Sequence, residues 1–146
     1  MDRPRMDRDR FADYIRRFNA EDDTAFDDYL SPDLHMKNGT LEFDGVQGMK
    51  DHYAHIWAGF TEELFPTDFV SSDDNVAIRM RTLFTADRDD PESLFGPVVQ
   101  GTRFEFEGVI SYRLNAQGRF SDILVAYNHF RRIDVDGTVT ELGIPH

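Results

Sequence analysis

The sequence contains no cysteine, which excludes disulfides, thiolate nucleophiles and cysteine-ligated zinc and leaves His, Asp and Glu as the available metal ligands. It also has no apolar run near the roughly 18 residues that a membrane-crossing helix needs. The N-terminus "MDRPRMDRDR" alternates charges where a signal peptide would carry an apolar block, so the expected location is the cytoplasm. Basic residues are scarce, 16 against 28 acidic ones, and the resulting charge of −12 repels a phosphate backbone, which argues against nucleic acid as a partner. Aromatic residues, by contrast, are plentiful. Thirteen Phe, five Tyr and one Trp suffice to pack a core and to line an apolar pocket. At 146 residues the chain is the size of one domain with one core, with residues 1–8 expected to be disordered and 136–146 to form a tail.

Periodicity organises the chain into helices followed by strands. Phe11, Tyr14, Ile15 and Phe18 recur at helical spacing, and Phe26, Tyr29 and Leu30 continue after a polar break as a shorter helix. Ser31–Pro32 ends the helical run; "DLHMKNG" reads as a strand closed by Asn38–Gly39, with "TLEF" pairing back onto it. "VQGMKDHYAHIWAGF" sets Met49, Tyr53, Ile56, Trp57 and Phe60 on one helical face. Thereafter the period is two: "LFPTDFVS", "NVAIRMRTLFTA" and "GTRFEFEGVISYRL" are strands, and "DRDDPESLFGPVVQ" is a loop long enough to cover something. The order predicts an α+β fold, helices packed on one face of a curved antiparallel sheet.

The last strand is ambiguous by hydrophobicity, and the turn "NAQG" decides its register. Asn115 and Gly118 suit a type I turn with a three-residue loop, pairing Asn115 with Arg119. Ile110 then faces Leu124, Tyr112 faces Asp122, and Phe106 faces Asn128, so that Asp122, Leu124, Ala126, Asn128 and Phe130 point inward. A four-residue loop would instead turn Ile123, Val125, Tyr127 and His129 inward. In the favoured register Val109, Ile123, Val125 and Tyr127 form an apolar outer patch, the expected surface of a homodimer.

The succession of elements ending in "GTRFEFEGVISYRLNAQGRFSDI", with "DLHMKNG" and "DGVQGMKDHY", resembles the NTF2-like superfamily, and within it the SnoaL-like polyketide cyclases and ketosteroid isomerase-like proteins. The resemblance implies a cone-shaped fold around an internal cavity, a small hydrophobic ligand, commonly a homodimer, and no metal or organic cofactor. The family's chemistry carries over only in part. Ketosteroid isomerases pair an aspartate base with a tyrosine and a protonated aspartate; Tyr14 matches the tyrosine, whereas the acids fall on Asn38 and Ile110. The His and Asp of the cyclases fall on Ile110 and Asn128. Of the epoxide hydrolase Asp–Arg–Asp set only Arg79 could match, Arg81 and Val125 standing in the carboxylate places, and that activity is rejected.

Within this frame Asn38 and Asn128 can polarise a carbonyl, and Tyr14 can donate to a developing enolate. The proton carrier is sought in His52 at the cavity edge or Asp122, with His35 a weaker choice. Tyr53, Trp57, Met80, Phe106, Ile110, Tyr112 and Leu124 are the expected wall. His52 and His55 have a spacing that can hold zinc, but no third ligand is evident, Glu62 and Glu63 being merely near, and no metal site is expected. His129 reads as a cross-strand partner of Glu105. The expected activity is isomerisation, dehydration or cyclisation of a carbonyl-bearing or polycyclic molecule. The alternatives are a binding or assembly module that has lost the acid–base pair, and an interaction subunit whose cone is filled with aromatic side chains.

Overall fold

The computed structural model describes residues 5–144. Three helices come first: α1 (Arg8–Asn19), α2 (Thr24–Tyr29) and, after strands β1 (Leu30–Asn38) and β2 (Leu41–Asp44), α3 (Gly45–Trp57). Six strands form the rest: β3 (Phe60–Ser71), β4 (Asn75–Ala86), β5 (Asp90–Ser93), β6 (Gly96–Val98), β7 (Arg103–Leu114) and β8 (Phe120–Ile133), followed by a short β9 (Val139–Glu141). Asp7 caps α1 by accepting from the Arg10 amide, and the helix buries Phe11, Tyr14, Ile15 and Phe18, the predicted stripe. Met6, expected in a disordered terminus, is wholly buried in the core; residues 1–4 of that expectation lie outside the described residues. In the predicted tail, β9 pairs with β8, and residues 145–146 are likewise outside the description. Among the described residues no helix is long and apolar enough to cross a membrane.

The main sheet runs β2-β1-β8-β7-β4-β3, with β9 on β8. It is mixed rather than purely antiparallel, because β1 pairs parallel to β8. The whole intervening chain serves as the crossover such a pair requires. The helices cover the concave face, and the buried side chains of α1, Met49 of α3 and the inward strand positions Met36, Ile78, Met80 and Tyr112 form one core, with Ile56 of α3 in a second cluster beside Phe60, Phe84 and Phe104. The loop between β4 and β7 contains the small hairpin β5–β6, whose tip inserts Phe95 among Phe60, Phe84, Phe104, Phe106 and Phe130. That loop closes one end of the cone.

The β7–β8 hairpin combines a turn that matches the sequence reading with a register that does not. The Asn115 amide donates to the Arg119 carbonyl at 2.8 Å, the Gly118 amide to the Asn115 carbonyl at 3.0 Å, and Gly118 sits at φ +75°, as the three-residue loop requires. Leu114 accordingly faces Phe120. Beyond it β8 holds one extra residue, Ser121, whose hydroxyl donates to the Arg113 carbonyl at 3.2 Å, and the pairing shifts so that Tyr112 faces Ile123 and Ile110 faces Val125. A second shift between Glu107 and Gly108 accommodates Asn128 and returns Phe130 to the inside, opposite Phe106. Each β-bulge inverts the faces of the strand beyond it. Between the bulges Ile123, Val125 and Tyr127 point in, and Asp122, Leu124 and Ala126 point out.

The expected outer patch is therefore corrected. Of its four residues only Val109 lies outside, 48 % exposed, joined by Leu124 at 48 %; Ile123 is 3 % exposed in the core. The spacing of Phe120, Ile123, Val125, Tyr127 and Phe130 explains why: steps of three, two, two and three put all five on one face only if the strand bulges at both ends. Gly108 makes the second bulge possible. A Cβ there would stand 2.5 Å from the Tyr127 Cα and closer still to the Ala126 carbonyl oxygen, both backbone atoms that cannot swing away. Gly108→Ala is expected to lower stability by roughly 3 kcal/mol, read as a fall in the urea midpoint; an unchanged midpoint would mean that the bulge relaxes freely.

Candidate active site

Between the helices and the concave face lies a cavity of about 310 Å³, at the lower end of small-molecule sites. The cone is therefore open, not filled by its aromatic side chains. The lining is mostly apolar and aromatic; among the described residues it contains no lysine, arginine or aspartate, and Glu62 is its one carboxylate.

Most of the predicted wall is in place. Tyr53, Met80, Phe106, Ile110 and Tyr112 line the cavity. Trp57 lies behind the wall instead, packed on Phe18 and stacked over Phe26 at 6.1 Å. Leu124 is on the outer face, displaced by the Ser121 bulge, and Val125 and Tyr127 line the cavity in its place.

The predicted polar set divides. Tyr14, on the buried face of α1, lines the cavity; burial raises its phenol well above the ordinary value, with the Glu62 charge adding to the effect, so it stays a neutral donor. Asn38, at the end of β1, also lines the cavity, and its Oδ1 is buried without a hydrogen-bond partner. His52 does reach the cavity, between Phe43 at 5.3 Å and Tyr53 at 4.8 Å between ring centroids. Burial, and secondarily His55, lower its pKa from 6.5.

Asn128 and Asp122 do not belong to the cavity. The second bulge throws Asn128 onto the outer face, where it borders a groove with Arg79, Glu107 and Val109. Asp122 accepts a hydrogen bond from His35 Nδ1 at 3.0 Å, while His35 Nε2 lies 2.7 Å from Glu42, all at the exposed side of β1, β2 and β8. These two carboxylates, Asp122 first, raise the His35 pKa above 6.5. The cluster therefore stabilises the fold fully below pH 6.5 and loses that contribution as pH rises through the higher folded value. His35→Gln is expected to destabilise the protein at pH 6 and to have little effect at pH 9, by urea melts at both; equal losses at the two pH values would remove His35 from the account. His129 is 4.0 Å from Glu105, but Arg81 and Arg131 are the true partners of that carboxylate. Burial alone would raise Glu105; Arg131 and Arg81 hold it below the usual range. Arg79, the one residue matched to the epoxide hydrolase set, is exposed on the outer face, 4.0 Å from Asp68, and does not line the cavity.

The titratable residue that sequence reasoning missed is Glu62. It is 4 % exposed, lines the cavity, and its Oε1 has no hydrogen-bond partner. Burial, reinforced by the negative charge of Glu21, pushes its pKa from 4.5 to about 8. Its charge acts in turn on Tyr14 and Tyr53, which places the three groups in one electrostatic neighbourhood. The signal was present in "GFTEELF": Gly59 follows the helix, and Phe60, Glu62 and Leu64 are then in phase on the inward side of β3, all buried. Carrying the helix of α3 through Phe60 and starting the next strand at Leu64 hides that phase, and leaves Glu62 and Glu63 weighed only as neighbours of the His52–His55 pair. Among the described residues no three potential metal ligands are gathered, His52 and His55 included.

Comparison with known proteins agrees with this architecture. A putative polyketide cyclase from Xanthomonas campestris pv. campestris superposes with a TM-score of 0.67 at 17 % identity, over 79 % of this chain and 84 % of its own. An NTF2-like protein from Exiguobacterium sp. 255-15 matches with a TM-score of 0.61 at 19 % identity, over 80 % of this chain and 96 % of its own. An LEH-like epoxide hydrolase from M. tuberculosis reaches 0.62 at 13 % identity, over 78 % and 76 %. At these identities the likeness establishes the NTF2-like fold. No curated protein matches the sequence. The SnoaL-like domain model matches residues 11–123, nearly the whole run from the first helix into the last long strand, and the chain belongs to the SnoaL-like domain family.

Proposed function

We propose that this protein is an acid–base enzyme that needs no cofactor and moves a proton on a small, uncharged, hydrophobic carbonyl compound, an isomerisation, dehydration or cyclisation passing through an enol or enolate. One observation carries the reading: a buried carboxyl with an unpartnered oxygen, its pKa about 8, in the wall of an apolar cavity beside a tyrosine. In the proposed step the Glu62 carboxylate takes a proton from the carbon next to the carbonyl. The C–H pair becomes the carbon–carbon double bond, and the carbonyl π pair moves to oxygen, where the Tyr14 hydroxyl donates a hydrogen bond. Protonated Glu62 then returns the proton to another carbon, or delivers it to a departing hydroxyl; in a cyclisation the enolate carbon attacks a second carbonyl, whose π pair moves to its oxygen, and protonated Glu62 gives its proton to that alkoxide. Asn38 orients an oxygen function of the substrate, and neutral His52 is a second acceptor at the cavity wall. Without a lysine or arginine in the lining, an anionic substrate would have no counter-charge, which supports an uncharged one. Incubating the protein with 2-tetralone in D2O tests the reading: NMR should show catalysed deuterium incorporation next to the carbonyl. Binding without exchange would favour the non-catalytic ligand-binding alternative.

A further inference from the structure

The cavity combines three features that a neutral ketone does not require together. Its wall is rich in aromatic rings, among them Tyr53, Phe84, Phe106, Tyr112 and Tyr127, whose electron-rich faces attract cations. No lysine or arginine among the described residues lines it, so no internal cation competes for those rings or for Glu62. The protein as a whole carries a charge of −12, a field that concentrates cations around it and repels anions. To these is added the Oε1 atom of Glu62, buried and without a hydrogen-bond donor. An ammonium group supplies both things that this oxygen lacks, a positive charge and an N–H donor.

We propose that the same cavity binds hydrophobic ammonium ions, protonated amines carried on one or two fused rings, as an ion pair with Glu62 inside the aromatic wall. The proposal goes beyond the proton-transfer reading and shares with it only the place of Glu62. Its proton balance is definite: the amine enters as the cation, the Glu62 carboxylic acid ionises to meet it, and one proton leaves to solvent. Near neutral pH most Glu62 is protonated, its pKa being about 8, so close to one proton is released per amine bound at pH 7. The affinity rises by up to about tenfold per pH unit from pH 6 to 8 and levels off above. The other titratable groups facing Glu62 do not imitate this. Tyr14 on α1, Tyr53 on α3 and Tyr112 on β7 are all raised above the ordinary phenol value; His52 on α3 is lowered below 6.5. Glu21, in the turn after α1, is a like charge, itself raised by burial and Asp87, and its negative form adds to the attraction for a cation.

The test is calorimetric titration with N,N-dimethyl-2-naphthylmethylamine and, as its uncharged counterpart, 2-naphthylmethanol. Titration at pH 7 in phosphate and in Tris, whose ionisation enthalpies differ, counts the protons released. At pH 8 the amine should bind at least tenfold more tightly than the alcohol, with between a half and one proton released at pH 7. Glu62→Gln, nearly isosteric, should abolish both the preference and the proton release while still binding the alcohol. Absent amine binding, equal affinity for the two compounds, no proton release, or a preference that survives in Glu62→Gln would each overturn the site. Because ketone exchange in D2O is read separately, exchange without amine binding sinks only this inference, and amine binding without exchange sinks only the proton-transfer reading.

Discussion

Glu62→Gln should slow deuterium exchange of 2-tetralone by about 10²- to 10⁴-fold, the contribution typical of one positioned acid or base, while the ketone still binds within a few-fold of its original affinity. Gln keeps the shape and polarity of the side chain but takes up no proton at neutral pH. The pH profile carries the more specific signature. If the carboxylate form abstracts the proton, kcat/KM for exchange should rise about tenfold per pH unit below pH 8 and level off near it, following the raised pKa of Glu62. His52, whose pKa is lowered from 6.5, would instead place the bend on the acid side of that value. A profile bending below pH 6.5, with Glu62→Gln still active, would transfer the role to His52.

The same substitution should stabilise the fold at alkaline pH. Glu62 is buried, and its carboxyl titrates near 8 in the folded protein against 4.5 when exposed. Below pH 4.5 both states hold the proton and the neutral side chain costs least. Between 4.5 and 8 the unfolded chain ionises while the folded one does not, so stability falls as pH rises; above 8 the folded protein carries the buried charge and the loss is complete. A rise of that size corresponds to at most roughly 5 kcal/mol. Gln has no such dependence. Urea midpoints of the two proteins should therefore diverge steadily in favour of Glu62→Gln from pH 5 to pH 9. Parallel curves would show that water or a rearrangement solvates the Glu62 carboxylate, and would weaken its assignment as a tuned acid. Activity lost and alkaline stability gained from one atom exchange is the pattern of a functional group held at a cost to the fold.

How much of this was legible before folding differs from residue to residue. The α1 stripe, the α3 face and strands such as β4 and β7 are local matters of period, and Phe11 to Phe18 are buried as their spacing requires. The Asn115–Gly118 turn is local too, and its hydrogen bonds are those its residues predict. The error lay in extending a local rule along a strand. Turn chemistry determines the first pair, Leu114 with Phe120; it does not constrain the later pairs once the strand gains a residue. Burial of Ile123, with Val125 and Tyr127 turned to the cavity, outweighed a regular ladder, and the bulges at Ser121 and Asn128 are the result. Asp122, Asn128 and Leu124 left the candidate site for that single reason.

The sequence by itself determined the α+β layout, the order of the elements, most of the aromatic wall and the inward place of Tyr14, because helical and strand periods report which side chains share a face. Only the tertiary structure decided which acid faces the cavity. A carboxylate beside another in "TEEL" reads as solvated until strand β3 turns one of the pair, Glu62, into a dry interior next to Tyr14 and Tyr53. Burial is a property of the packed sheet and helices together, and burial is what raises that pKa.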